Sequence, residues 1–180
     1  MASCLLSVDP GLDMTGWAAF RKGLRPPSAP VALARLRETG MIKTSSKKAL
    51  PERLAALHDG VTETIRRVAA AEVAIEVPSK AGEYRRTGKR NAGAMQNLER
   101  AIGAMMVAAA ECVGPANVRL FPAPAGAWAK KEHRHAWLRS IAKEANVPLP
   151  FGPRGGVPAD VWDAIYVGVQ VLRTPPMAEP

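Results

Sequence analysis

Four acidic side chains have types and positions suited to holding a divalent metal ion. Asp9 follows the apolar run CLLSV, and Glu76 lies near the end of a second apolar run, VAIEV. Asp160 and Asp163 are three residues apart in ADVWDAIYVG, a spacing that places both on one face of a helix. If these carboxylates converge beside an apolar core, their mutual repulsion is large unless cations neutralise it.

The oxygen ligands select the kind of ion. Carboxylates favour Mg²⁺ or Mn²⁺, and the chain has no paired Cys/His spacing typical of zinc sites. Two such ions about 4 Å apart would activate a water molecule and stabilise the leaving oxygen of a phosphodiester. Simpler interpretations exist, since Asp9 before Pro-Gly suits a turn and the Asp160 pair suits a helix cap. Glu76 is harder to explain in that way, because an unpaired acid in a buried strand is costly.

A sheet and several helices must position these acids. Apolar runs at 4–8 and 15–20 predict a hairpin across a Pro-Gly turn. Residues 31–43 predict a third strand that completes an antiparallel meander, although this run could also be helical. Further strands are predicted at 73–77 and 117–123. Apolar spacings of three and four predict helices from Pro51, from near Asn91, over 131–146 and over 159–172.

This order of elements predicts an α/β fold, with a mixed sheet covered by helices on both faces. Asp9 and Glu76 would then emerge at strand ends, where ligands gather in α/β sheets. The 180 residues are 47% hydrophobic, enough for one core. We expect a single domain over residues 1–174 and a frayed tail over 175–180.

The charge of the chain favours a polyanionic partner. Its 25 Lys and Arg residues exceed its 16 Asp and Glu residues, so the formal net charge is +9, and nucleic acid is the default partner. The apolar stretches are shorter than the roughly 20 residues that span a bilayer. No secretory signal is recognisable at the start. Cys4 and Cys112 lie in apolar contexts that predict buried, reduced thiols and a cytoplasmic location.

The ordered motifs resemble those of the RuvC-type Holliday junction resolvases. LLSVDPGLDMTGWAAF is similar to the opening strand and hairpin of that family, and VAIEV to its second acidic motif. NAGAMQNLERAIGAM (91–105) resembles the helix that follows, and ADVWDAIYVG the C-terminal Asp-x-x-Asp helix. The resemblance runs in order from about residue 4 to residue 172. It implies an RNase H-like fold and four catalytic, metal-binding acids: Asp9, Glu76, Asp160 and Asp163.

The resemblance further implies a crossover junction endonuclease. It would act as a homodimer that nicks two opposing strands of a four-way DNA junction symmetrically, with two Mg²⁺ ions per active site or Mn²⁺ in their place. The family carries an aromatic residue soon after the second acid, and here Tyr84 follows it within a longer segment. The family also has a basic residue near the start of the helix before the last. Lys130, Lys131 and Arg134 are the candidates, and any branch-migration partner is left open.

Two basic segments predict contacts with phosphates. Residues 80–100 contain six Lys and Arg against two Glu, and residues 130–143 contain five against one. Such clusters position a duplex without reading its sequence. The alternative interpretation is a solvated face of a basic protein. The candidate DNA contacts are Lys80, Tyr84, Arg85, Arg86, Lys89, Arg90, Lys130, Lys131 and Arg134. We interpret His133 and His135 as surface histidines or phosphate contacts, not metal ligands.

Other functions compete with this interpretation. A related RNase H-like nuclease would cut flaps, other branched DNA or RNA/DNA hybrids. A non-catalytic nucleic-acid-binding module of the same fold is disfavoured by the presence of all four acids. An actin-like kinase is disfavoured by the length of the chain and the lack of a second phosphate-binding glycine motif.

Overall fold

The sheet of the computed structural model is mixed. The structure describes residues 3–23, 25–78, 92–124, 130–147 and 158–174. Within these ranges, the strands are β1 (Cys4–Asp9), β2 (Met14–Arg21), β3 (Leu36–Lys43), β4 (Ala70–Val77) and β5 (Val118–Pro122). They lie in the order β3-β2-β1-β4-β5, with antiparallel pairs among β1, β2 and β3, and parallel pairs from β1 to β4 and from β4 to β5. The predicted mixed sheet and antiparallel meander are confirmed.

Helices cover both faces of this sheet. They are α1 (Ala29–Ala34), α2 (Leu50–Val68), α3 (Ala92–Val113), α4 (Lys131–Ala145) and α5 (Ala159–Arg173), with a short 3₁₀ helix at Pro115–Asn117. The alternation of side chains along β1 divides the core, because Leu5 faces α1, α4 and α5, whereas Leu6 and Val8 face α2 and α3. The four long helices therefore occupy the places that the sequence predicts.

The prediction of a strand over residues 31–43 is wrong in its first part. Pro30 falls in the first turn of α1, where its missing N–H costs nothing, and Ala32 and Leu33 are fully buried in the core. The chain then turns at Arg35 and pairs with β2 from Leu36 onward. Burying these two apolar residues favours a short helix over an extended edge strand.

Several smaller predictions concern single side chains. Leu57, Val61, Ile65 and Val68 of α2 are buried as their spacing predicts, and Met105 of α3 fills the core. Cys4 and Cys112 are both free thiols, but only Cys4 is buried, whereas Cys112 is partly exposed. No helix in the described ranges has both the length and the apolarity to cross a bilayer.

Candidate active site

The first two acids come from neighbouring parallel strands. Val8 of β1 pairs with Ile75 of β4, so the residues that follow them, Asp9 and Glu76, leave the same edge of the sheet side by side. Both carboxylates are partly buried and line a cleft of about 90 Å³ together with Leu98 and Ile102 of α3. The parallel register therefore brings together two acids that are 67 positions apart in the chain, since 76 − 9 = 67.

The turn after Asp9 is closed by side-chain hydrogen bonds. The Thr15 hydroxyl donates to the Gly11 carbonyl at 2.7 Å and accepts from the Gly11 N–H at 3.3 Å. Thr44, beyond β3, donates to the carbonyl of Leu12. These bonds explain the spacing of the Asp-Pro-Gly and Thr-Gly motifs, because each motif supplies one side of the same tight turn.

Helix α5 places the other two acids by docking closely on β1 and β2. The Ser7 hydroxyl donates to the Ala164 carbonyl at 2.7 Å. Gly168 lies where any side chain would overlap the ring of Phe20, and Gly16 of β2 lies where a Cβ would overlap the Asp160 carbonyl. The helix can therefore approach the sheet backbone, which leaves Asp163 1% exposed.

Three basic side chains of α4 converge on Asp163. Lys131 Nζ is 2.8 Å from Asp163 Oδ2 and 3.6 Å from Asp160 Oδ1. Arg134 donates to Asp163 Oδ1 from Nε at 3.0 Å and from Nη2 at 2.7 Å. His135 Nε2 lies 3.4 Å from the same oxygen. Lys131 and Arg134 therefore already compensate part of the negative charge that the sequence predicts.

The pKa values show that the four acids form one electrostatic cluster. Burial first, and then the charges of Glu76, Asp163 and Asp160, raise the pKa of Asp9 to about 8, against an opposing effect of Lys131. Burial and the charge of Asp163 raise the pKa of Glu76 to about 7, against Arg134 and Lys131. Two carboxyls that resist ionisation at neutral pH have an unmet need for a nearby cation.

The donor chemistry of this cluster fits a hard divalent ion. Its ligand atoms are carboxylate oxygens, and the raised pKa values of Asp9 and Glu76 show that their charge is undercompensated. In the described part of the chain, however, no three Asp, Glu, His or Cys side chains are grouped closely enough to hold one ion. The ion pair with Lys131 and the hydrogen bonds from Arg134 provide a physical reason, because they hold the Asp163 carboxylate of α5 against α4.

The predicted DNA contacts divide into three groups. Lys130 is exposed, whereas Lys131 and Arg134 are engaged with the acids, Arg134 at only 5% exposure. Lys80, Tyr84, Arg85, Arg86, Lys89 and Arg90 lie outside the described residues. All nine stay predictions as DNA contacts.

The two histidines of α4 differ. His133 is exposed, as predicted. His135 is less exposed than a surface histidine, since its side chain is 16% exposed and its ring stacks on Trp162 with the centroids 5.4 Å apart, and a phosphate contact from it stays a prediction. Burial lowers the pKa of His135, which favours the neutral ring.

The burial of Arg134 was missed, although the sequence contains a signal for it. Arg134 lies four residues before Leu138 and seven before Ile141, and therefore on the apolar stripe that α4 turns toward the core. A buried arginine requires an acidic partner, and Asp163 supplies it.

A family model described as "Crossover junction endodeoxyribonuclease RuvC" matches residues 5–119, which is more than half of the chain. The chain belongs to the RuvC family. A crossover junction endodeoxyribonuclease RuvC of Rhodopirellula baltica is 44% identical over 63 residues, a match that spans 34% of this chain and 31% of that relative. The matched segment thus covers about a third of the relative's length.

Solved structures of RuvC and another resolvase share this fold. RuvC of T. thermophilus in complex with a Holliday junction substrate aligns with a TM-score of 0.63 at 24% identity, over 93% of this chain and 91% of that chain. The yeast mitochondrial Holliday junction resolvase Ydc2 aligns with a TM-score of 0.59 at 9% identity, over 96% and 80%. These alignments and the sheet order confirm the RNase H-like fold predicted for this RuvC-family chain.

Proposed function

We propose that this chain is a divalent-metal-dependent endonuclease that resolves four-way DNA junctions by paired, symmetric nicks. One observation carries the proposal: in a chain of the RuvC family, the paired ends of β1 and β4 bring Asp9 and Glu76 into one cleft, where the charges of the α5 acids reach them. The R. baltica relative carries the name of this activity, and the T. thermophilus structure holds a junction substrate. A pure binding module would gain nothing from two partly buried carboxyls with raised pKa values.

The sheet supplies two of the four acids, and helix α5 supplies the other two. Asp9 and Glu76 would hold the divalent ions from the strand ends, and Asp160 and Asp163 would complete the ligand set from α5. We propose Mg²⁺, two ions per site, with Mn²⁺ as a substitute. When bound, these ions supply an activated water molecule and stabilise the leaving oxygen of the phosphodiester. Lys131, whose side chain is 48% exposed beside both acids of α5, would meet a phosphate that approaches them.

The remaining surface suits branched DNA. The net charge of +9 attracts phosphates, and exposed Lys130 lies at the start of α4, one residue before Lys131. A four-way junction has twofold symmetry, so paired nicks require two active sites, and we propose a homodimer. The free thiols of Cys4 and Cys112 support a reducing, cytoplasmic location.

Substrate choice is the test that separates this function from its rivals. The full-length protein should be incubated in Mg²⁺ with a four-way junction, a flap, an RNA/DNA hybrid and a linear duplex of matched sequence, and all four junction arms should be mapped. We expect nicks at symmetric positions on two opposing strands of the junction and no cleavage in EDTA. Preferred cutting of the flap or hybrid would indicate a related nuclease. Junction binding without any cutting in Mg²⁺ or Mn²⁺ would contradict the proposal.

A further inference from the structure

Arg134 donates two hydrogen bonds to the same carboxylate oxygen of Asp163. Its Nε and Nη2 both donate to Oδ1, at 3.0 and 2.7 Å. A carboxylate oxygen has about two lone-pair directions, so two aligned donors leave Oδ1 without a free one. The side chains are only 6% and 2% exposed, which excludes water from the pair and strengthens both bonds.

Aromatic packing fixes the position of the guanidinium. Its Cζ lies 5.7 Å from the ring centroid of Tyr166, and Tyr166 meets Trp137 edge-on at 5.8 Å. Arg173 in turn lies over Trp137, with its Cζ 5.9 Å from the ring centroid. Because these rings belong to the contact between α4 and α5, the packing of the two helices restrains Arg134 beside Asp163.

The second oxygen of Asp163 has a different environment. Oδ2 is buried, and no described donor forms an aligned hydrogen bond to it, although Lys131 Nζ stands 2.8 Å away as an ion-pair partner. The Lys131 side chain is 48% exposed and ends a flexible stem, so it can swing into solvent when another cation takes its place beside Oδ2. Of the two cations on Asp163, one is therefore fixed and the other is displaceable.

We propose that Arg134 is a positioning residue that makes Asp163 a one-oxygen ligand, with Oδ2 alone available to a divalent ion. This inference rests on the proposed function. A one-oxygen carboxylate fixes the direction from which the ion is held, whereas a free carboxylate can rotate or chelate with both oxygens. The charge of Arg134, held within hydrogen-bond distance of Asp163, also opposes a cation bound to that carboxylate. Arg134 therefore weakens metal affinity while imposing one geometry.

The test compares metal affinity with turnover in the same variants. Binding of Mn²⁺ to the full-length protein without DNA should be measured from the electron paramagnetic resonance signal of free Mn²⁺ in mildly alkaline buffer. We expect Arg134→Gln to bind Mn²⁺ about tenfold more tightly, because a nearby positive charge is removed. Its junction cleavage at saturating Mn²⁺ should fall by about tenfold or more, because Asp163 loses its orientation. Arg134→Lys keeps the positive charge but loses the guanidinium that donates two hydrogen bonds to Oδ1. It should therefore show near-normal Mn²⁺ affinity with reduced junction cleavage.

A matched control and the contrary outcomes complete the design. Arg139→Gln removes an exposed guanidinium from the same helix, where it lies over Trp162, and should leave Mn²⁺ affinity unchanged. Weaker or unchanged Mn²⁺ binding in Arg134→Gln, as a purely structural role predicts, would overturn the inference. If Arg134→Gln does not fold, normal cleavage by Arg134→Lys would overturn it instead. Failure of the proposed function is distinguishable from failure of this inference. If the acids hold no metal ion, wild type and Asp9→Asn would bind Mn²⁺ equally.

Discussion

Gly16 lies directly against the backbone carbonyl of Asp160, so that no side chain fits between β2 and the first turn of α5. The contact joins the N-terminal hairpin, which carries Asp9, to the C-terminal helix, which carries the last two acids. Because it is made between backbones, its geometry does not depend on side-chain rotamers. The glycine of the Thr-Gly motif therefore sets the distance between the two halves of the candidate site.

Gly16→Ala should disturb both stability and cleavage. The new methyl group overlaps a backbone oxygen that cannot move alone, so we expect a loss of about 1–3 kcal/mol in the free energy of unfolding, measured by urea denaturation. Junction cleavage should fall because α5 is displaced. Gly103→Ala is the matched control, since nothing surrounds its Cβ position on α3, and it should stabilise the protein by about 0.5–1 kcal/mol. Wild-type stability of Gly16→Ala would show that the close approach of the two backbones is not needed.

Asp9→Asn and Glu76→Gln should each abolish cleavage while preserving junction binding. Each variant removes negative charge that the metal requires but leaves the basic surface intact. Cleavage in Mg²⁺ and the dissociation constant for the junction in Ca²⁺ measure the two effects separately. If either variant cuts at the wild-type rate, that residue has no role in the metal site.

The metal-free protein should lose stability through these acids as the pH rises. The pKa of Asp9 is about 8 in the folded chain against 3.8 for the unperturbed group, so the unfolded state releases this proton first. Between those two values, the contribution of Asp9 to folding becomes less favourable by up to about 1.4 kcal/mol per pH unit. Asp9→Asn should therefore gain stability relative to wild type from pH 5 to pH 8 in EDTA, measured by urea denaturation. A constant difference across that range would contradict the assigned burial and repulsion.

The basic segment after Glu76 should contact phosphates. Arg85→Ala combined with Arg86→Ala should weaken junction binding and reduce the slope of log K against log salt, by about 0.9 for each phosphate that these arginines neutralise. Binding isotherms at several salt concentrations measure that slope. If affinity falls but the slope stays at the wild-type value, these arginines do not neutralise phosphates.

The strand pattern predicts much of the candidate site, because the buried strands of a sheet appear in the sequence as short apolar runs. CLLSV and VAIEV place Asp9 and Glu76 at adjacent strand ends once the two strands pair in parallel. Helix α1 was not separable from a strand, since six residues span too few turns for a helical period to show. Its helical state depends on the contacts that Ala32 and Leu33 make in the folded core.

The environment of Asp163 could not be predicted from local sequence. Charge counting assigned Arg134 to a DNA-contacting segment, but α4 turns this side chain toward α5 because Leu138 and Ile141 determine which face is buried. An arginine on an apolar stripe indicates a buried acid, but not which one. The pairing with Asp163 depends on how the two helices pack, and that geometry is set by contacts between elements distant in the chain.

The most direct test of the metal site is anomalous diffraction from crystals of the protein soaked in Mn²⁺. If the acids form one metal site, a Mn²⁺ peak should appear within about 2.5 Å of oxygens from Asp9, Glu76 and at least one of Asp160 and Asp163. The account would be contradicted if Mn²⁺ peaks appear elsewhere in the crystal while these acids remain apart with no peak between them.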